Sequence, residues 1–305
     1  MYYNRNLIGA DKSAVTPRDA SGIFDLRSQE KHQRAKSWPG STDNYLIYTI
    51  NYSGTPFEVR QVDSRYISID WGDGSSEVSN TNSVTHTYSA NGIYEIKINT
   101  TLGNIFYRPR FDNVSSDIKN QLIKVETGRY LLGSLDSSFR GCTNLEEIIA
   151  PYTSFSSVTT FRRTFRDCTS LKVFPFIETK TIANFENFCW GLNLLTTFPA
   201  LDFTAASKFN GAWYGCTSLA HFPPNMFDKT GDFFTGNNFT NAWTNCALTA
   251  QSIENILVSL DTNGDTGIVL SINSGSNAAY STWSQAAKDA LTSLQGKSWT
   301  VAYNS

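Results

Sequence analysis

Histidine is scarce in this 305-residue chain: His32, His86 and His221 are the only three, and they fall in three separate stretches. That removes the commonest general base from most catalytic schemes. No His-Glu-x-x-His motif, nucleophile elbow, phosphate loop or dinucleotide-binding glycine fingerprint occurs. The carboxylates are scattered, and no pair stands out for glycoside hydrolysis. The chain is therefore expected not to be an enzyme and to carry no cofactor. Charge is low as well, at 17% Asp, Glu, Lys and Arg with a net of −2. No overall field favours nucleic acid or an anionic membrane. No apolar run approaches the length of a membrane span, so no membrane insertion is expected. The first residues, Met-Tyr-Tyr-Asn-Arg-Asn, lack the apolar core of a secretory leader. Synthesis in a cytoplasm is the expectation. The five cysteines are odd in number, and none lies within 20 residues of the next. Structural zinc uses closely spaced pairs, so a zinc site is not expected.

Aromatic residues are abundant, with 20 Phe and 14 Tyr, and many of them recur in phase. Four pieces superpose: Phe139-Arg-Gly-Cys142-Thr-Asn-Leu145, Phe165-Arg-Asp-Cys168-Thr-Ser-Leu171, Cys189-Trp-Gly-Leu192-Asn-Leu-Leu195 and Trp213-Tyr-Gly-Cys216-Thr-Ser-Leu219. Their last leucines are 26, 24 and 24 residues apart. Three residues on stand Ile148, Phe174, Phe198 and Phe222, and Pro175, Pro199 and Pro223 follow the last three. A further apolar column runs Leu135, Phe161, Phe185, Phe209, Phe239, and a partial copy ends at Trp243-Thr-Asn-Cys246. Such a period indicates stacked repeats, because one copy has too few large side chains to offset ordering its own backbone. The Leu-x-x-Phe-Pro piece reads as a short strand. The i, i+4, i+7 spacing of Phe-x-x-x-Phe/Trp-x-x-Cys reads as a helical or 3₁₀ turn. Cys142, Cys168, Cys216 and Cys246 share one column, which predicts a buried ladder of free thiols. Disulfides between adjacent copies are the minority alternative.

These columns resemble the BspA-like class of leucine-rich repeats. The resemblance covers residues 122–246 and implies a solenoid, a scaffold for binding or assembly with no implied catalysis.

Upstream, residues 41–100 alternate as strands do. Tyr45–Tyr52 and Tyr66–Trp71 are followed by Trp71-Gly72-Asp73-Gly74, His86-Thr-Tyr88 and Gly92-Ile-Tyr94-Glu-Ile96. Asp73-Gly74 marks a tight turn, and Tyr88 and Tyr94 offer half-buried rings. His86 has no partners at ligand spacing and reads as structural. These ordered pieces resemble a polycystic-kidney-disease-type (PKD-like) β-sandwich. Residues 101–121 form a connector. Residues 247–305 lose the repeat and read as an α/β cap, with helices near 252–260 and 284–294 and strands near 267–272 and 299–303. Asp261-Thr-Asn-Gly-Asp265 imitates the start of a calcium loop, but Thr266 and Ile272 stand where Gly and Glu are required, so no metal is expected. Between Phe227 and Phe239 an insertion at 228–238 carries Phe233 and Phe234, placed to be displayed for host binding or tucked onto the repeats.

Residues 1–40 carry seven Lys and Arg against four Asp and Glu. A helix spanning Ile23 to Ser37 is predicted, ended by Pro39, with Ile23, Phe24, Leu26 and Trp38 as its apolar residues and Arg27, Lys31 and Arg34 among its charges. It has too little apolar surface to be stable alone. Ser21-Gly-Ile-Phe24, Leu26, Gln29 and Ala35-x-x-Trp38-Pro39 resemble an N-terminal segment of structural proteins of tailed bacteriophages. That resemblance implies a virion location after synthesis in the host cytoplasm, with this segment anchoring to other virion proteins. The fold expected is mainly β with short helices: an arm and helix at 1–40, the sandwich, and the solenoid with its cap. The function expected is a tail- or fibre-associated adhesin, present in several copies and meeting a host-surface receptor or glycan. A capsid decoration or head-fibre protein, a bacterial surface adhesin and a cytosolic scaffold are the alternatives.

Overall fold

A computed structural model of the chain describes residues 45–60, 66–100, 108–128, 132–150, 155–231 and 236–305. Among the described residues the protein is mainly β, with three α-helices and one short 3₁₀ helix. Strands β1 (Tyr45–Tyr52), β2 (Phe57–Arg60), β3 (Ile67–Asp70), β4 (Ser76–Ser79), β5 (Ser83–His86) and β6 (Gly92–Thr100) come first. Helix α1 (Ser116–Lys119), capped by Ser115, precedes β7 (Leu122–Thr127). After it come β8 (Leu132–Ser134), β9 (Glu147–Ile149) and β10 (Ser157–Thr160). One sheet has the order β4-β3-β6-β1-β7-β9, and β2 pairs with β5 in a second layer. Alternation puts Leu46, Tyr48, Ile50 and Tyr52 of β1 inward, where Tyr48 meets Phe57 of β2 edge-on at 6.4 Å.

Strand β7 joins two parts of the chain. It runs antiparallel to β1 and parallel to β9, so the first repeat copy extends the sheet of the preceding strands. From there the chain climbs in stacked turns. In each copy, two four-residue turns follow one another. The amides of Thr164 and Cys168 donate to the carbonyls of Phe161 and Phe165, and the same pairs recur at 188/185 and 192/189 and at 212/209 and 216/213. The third residue of each turn has positive φ: Ser137 and Gly141, Arg163 and Asp167, Asn187 and Gly191, Gly211 and Gly215, Asn241 and Asn245. A three-residue closure with positive φ at the third position is the type II pattern. The helical reading of this piece is therefore corrected. In a helix every amide would bond within the turn. Here alternate amides donate to the next copy, as from Phe161, Arg163, Phe165 and Asp167 to the carbonyls of Asn184, Glu186, Phe188 and Trp190. Four such bonds link each copy to the next from Leu135 to Thr244.

The Leu-x-x-Phe-Pro piece forms a strand only in the first copy, as β9. In that copy Ile149 follows Ile148, whereas Pro175, Pro199 and Pro223 occupy the equivalent place later and cannot donate to a ladder. At this piece one parallel bridge, Thr197 to His221, remains between the later copies among the described residues.

Side chains stack as the backbone does. Phe185, Phe209 and Phe239 lie nearly parallel, 5.5 and 5.0 Å apart. Phe174, Phe198 and Phe222 form a second stack at 5.8 and 5.5 Å, and Phe139 lies 5.6 Å from Phe165 in a third. In that third column Trp213 stacks on Trp243 at 4.8 Å, and the third copy supplies Cys189 where a ring stands elsewhere. Its ring is one residue earlier, at Phe188, where the other copies have Ser138, Thr164, Ala212 and Ala242. Phe188 lies flat against Phe161 at 5.0 Å, so ring and small residue have exchanged places.

The repeat is not lost after residue 246. Strands β11 (Gly236–Phe239), β12 (Ile268–Ile272) and β13 (Thr300–Tyr303) lie parallel in that order. Trp243 and Asn245 donate to the carbonyls of Ser271 and Asn273. The backbone ladder thus continues while the outer connections become helices, α2 (Ala250–Asn263) and α3 (Gln285–Gly296). Thr249 and Ser284 cap them. On α2, Ser252 and Ser259 accept the amides of Phe222 and Phe227, which would otherwise be buried without partners. Asp261, expected in a loop, lies in α2 and is held by Lys297 at 2.7 Å. One continuous apolar core runs from Leu46 to Trp299.

Candidate functional site

Three places merit description, and the first is the Trp-Gly-Asp-Gly turn. Gly72 has φ +77°, and a Cβ there would stand 2.5 Å from the Glu95 carbonyl oxygen, so only glycine fits. The turn aims Asp73 back at its neighbours. Its Oδ1 accepts from the Ser75 hydroxyl at 2.6 Å and the Ser75 amide at 2.9 Å, and its Oδ2 meets His86 Nε2 at 2.7 Å. The Ser75 hydrogen bonds, with His86 assisting, hold the Asp73 carboxyl down to about 2. The Trp71 ring stacks on His86 at 4.7 Å. The buried Tyr88 donates to the Trp71 carbonyl at 2.9 Å and stacks on Tyr94 at 3.8 Å. Burial raises the Tyr88 phenol above its ordinary value. Trp71, Asp73, Gly74, His86, Tyr88 and Tyr94 are thus brought together, with the Trp71 indole donating outward to Glu77 and the Tyr94 hydroxyl to the Ala90 carbonyl. The arrangement locks a corner.

The second is the cysteine column. Cys142, Cys168, Cys216 and Cys246 are free and buried, as is Cys189. The thiols of Cys168, Cys216 and Cys246 donate to the carbonyls of Phe139, Cys189 and Trp213 in the preceding copy, at 3.0–3.1 Å. Burial pushes all five thiols up, away from the reactive thiolate. Among the described residues no group of three or more His, Cys, Asp or Glu is placed to hold a metal ion, and no helix is long and apolar enough to cross a membrane.

The third was invisible in the sequence. Where the end of β1, helix α1 and the first repeat turn meet, a cleft of about 410 Å³ opens. Asn51, Ser53 and Thr55 come from β1 and its turn, Asp117, Asn120 and Gln121 from the α1 region, and Asn144 from the first copy. The amide of Asn51 donates to the Gln121 carbonyl at 2.8 Å, which fixes α1 against β1. Asn120 accepts from Thr143 through its side chain and from Asn144 through its carbonyl, both at 2.7 Å, which fixes the repeat turn. Gln121 is 2% exposed. Its Nε2 donates to the Thr55 carbonyl at 3.0 Å, and its Oε1 has no partner among the described residues. These residues come from stretches some 20–70 positions apart and carry no motif. Their common signal is an excess of amide side chains, which composition alone cannot locate.

Ile23, Phe24, Leu26, Arg27, Lys31, Arg34 and Trp38, expected to anchor, lie outside the described residues, as do Phe233 and Phe234. The insertion carrying these two phenylalanines begins at Asp228, which accepts from Ser259 of α2, and at Thr230, which accepts from Asn263. No family model, curated protein or solved structure matches the chain.

Proposed function

We propose that the protein is a non-catalytic structural component of a tailed-phage particle, acting as a tail- or fibre-associated adhesin. In this reading residues 1–40 attach to other virion proteins. Residues 41–100 form a PKD-like sandwich that serves as a spacer. Residues 122–246 form a leucine-rich-repeat solenoid closed by the α/β unit of 247–305, and several copies are present per particle. The observation that carries the reading is mechanical. Four backbone hydrogen bonds join each repeat copy to the next, and one apolar core runs from Leu46 to Trp299. Repeats coupled to their neighbours in this way form a stiff body with wide lateral surface. Such a body suits the presentation of a receptor-binding surface away from its attachment point. The N-terminal phage-like segment supplies that attachment point. Its few apolar residues and its surplus of Lys and Arg offer contacts to a partner.

Deleting residues 1–40 tests this. The truncated protein should stay folded and monodisperse and should no longer cosediment with particles assembled in its presence. Assembly of the truncated chain into particles would overturn the anchoring role. Binding of the truncated protein to host cells, measured separately, distinguishes an adhesin from a capsid decoration or head-fibre protein.

A further inference from the structure

We propose that the cleft between β1, α1 and the first repeat turn binds a saccharide through its hydroxyl groups. The inference rests on the adhesin reading for its biological setting and on the cleft alone for its chemistry. The volume, about 410 Å³, falls within the roughly 300–1,000 Å³ of ligand pockets. Its lining decides the ligand class. Four amides, two hydroxyls and one carboxylate surround it, with no aromatic or aliphatic wall and no cation. An apolar ligand would gain no contact. An anion would meet Asp117 and no positive charge. A metal ion would find a single carboxylate, where calcium takes six to eight oxygens. A sugar fits, because each hydroxyl is both donor and acceptor and is matched by amides and hydroxyls that offer both and by a carboxylate that accepts.

Two further observations support a ligand site. The lining is held in advance, because Asn120 and Gln121 are tied to Asn51, Thr55, Thr143 and Asn144 by four hydrogen bonds of 2.7–3.0 Å, counting the backbone bond from Asn51. A preformed site avoids the cost of ordering its side chains on binding. And Gln121, which lines the cleft, is 2% exposed and carries at Oε1 an acceptor with no hydrogen-bond partner among the described residues. At the mouth, the exposed side chains of Asn51, Ser53 and Asp117 make no hydrogen bond among the described residues, which leaves them for the ligand's remaining hydroxyls.

The test uses the full chain and a panel of neutral probes: galactose, glucose, mannose, rhamnose, N-acetylglucosamine and their common disaccharides. Saturation-transfer NMR and calorimetric titration read binding. At least one probe should bind saturably, and the double variant Asn51→Ala, Asp117→Ala should weaken it about tenfold or more. Both positions are exposed, so circular dichroism should be unchanged. No saturable binding by any probe, or equal affinity in the folded double variant, overturns the proposal. Host-cell binding separates it from the wider reading. No cleft-dependent sugar binding, with cells bound equally by wild type and double variant, sinks the cleft and leaves the adhesin. Cleft-dependent sugar binding without cell binding keeps the site and sinks the adhesin.

Discussion

Exchange of ring and small residue at Phe188 and Cys189 gives a quantitative test of the stacking. Phe188 is fully buried, flat on Phe161 at 5.0 Å and edge-on to Phe174 and Phe185 at 5.1 and 5.3 Å. Phe188→Ala removes a ring from this site and should cost roughly 3–5 kcal/mol. Cys189→Phe alone forces a second ring into a filled layer and should cost roughly 1–3 kcal/mol. Together the two changes give the third copy the order of the other copies: a small residue, then a ring in the column of Phe165 and Trp213. The space vacated by one ring then admits the other. The double variant should cost only about 1–3 kcal/mol, well below the sum of the single changes. Urea unfolding followed by circular dichroism reads these costs from midpoints at constant slope. Single-variant costs that add within about 0.5 kcal/mol would refute the reasoning, because they would mean the two positions do not share one space.

Thiol labelling of the native protein should be slow at all five cysteines and become fast in denaturant, and rapid native labelling of Cys142, Cys168, Cys216 and Cys246 would rule out the buried ladder. Asp73 gives a pH prediction with a definite sign. Its folded value near 2 lies below the roughly 3.9 of an unfolded aspartate, so its stabilising contribution is present above that value and is lost as pH falls towards 2. Asp73→Asn should flatten the stability profile between about pH 4 and 2, and an unchanged profile would show that Asp73 is not held by Ser75 and His86.

The apolar columns were legible because burial in a stack demands a ring at the same place in every copy. The local conformation between the rings was not. Residues at i, i+4 and i+7 face one way on a helix, and they also face one way when two four-residue turns follow each other. What separates the cases is the positive φ at positions such as Arg163 and Asp167, and those residue types do not announce it. The glycines at 211 and 215 in the equivalent places hinted at it. Continuation of the ladder past residue 246 was hidden for another reason. Ile268, Leu270 and Ile272 take over from the rings, and helices lengthen the connection, so the period changes. The Trp-Gly-Asp-Gly corner could be read because its residues are close in sequence. The cleft could not, because its residues meet only through the pairing of β1 with β7 and the docking of α1.

The claim that the protein is a particle component is most directly tested by quantitative mass spectrometry of purified phage particles from the source. The account predicts peptides of this chain that copurify with the known head and tail proteins at a fixed ratio of several copies per particle. Peptides confined to the host-cell fraction, with none in particles banded to constant density, would contradict it.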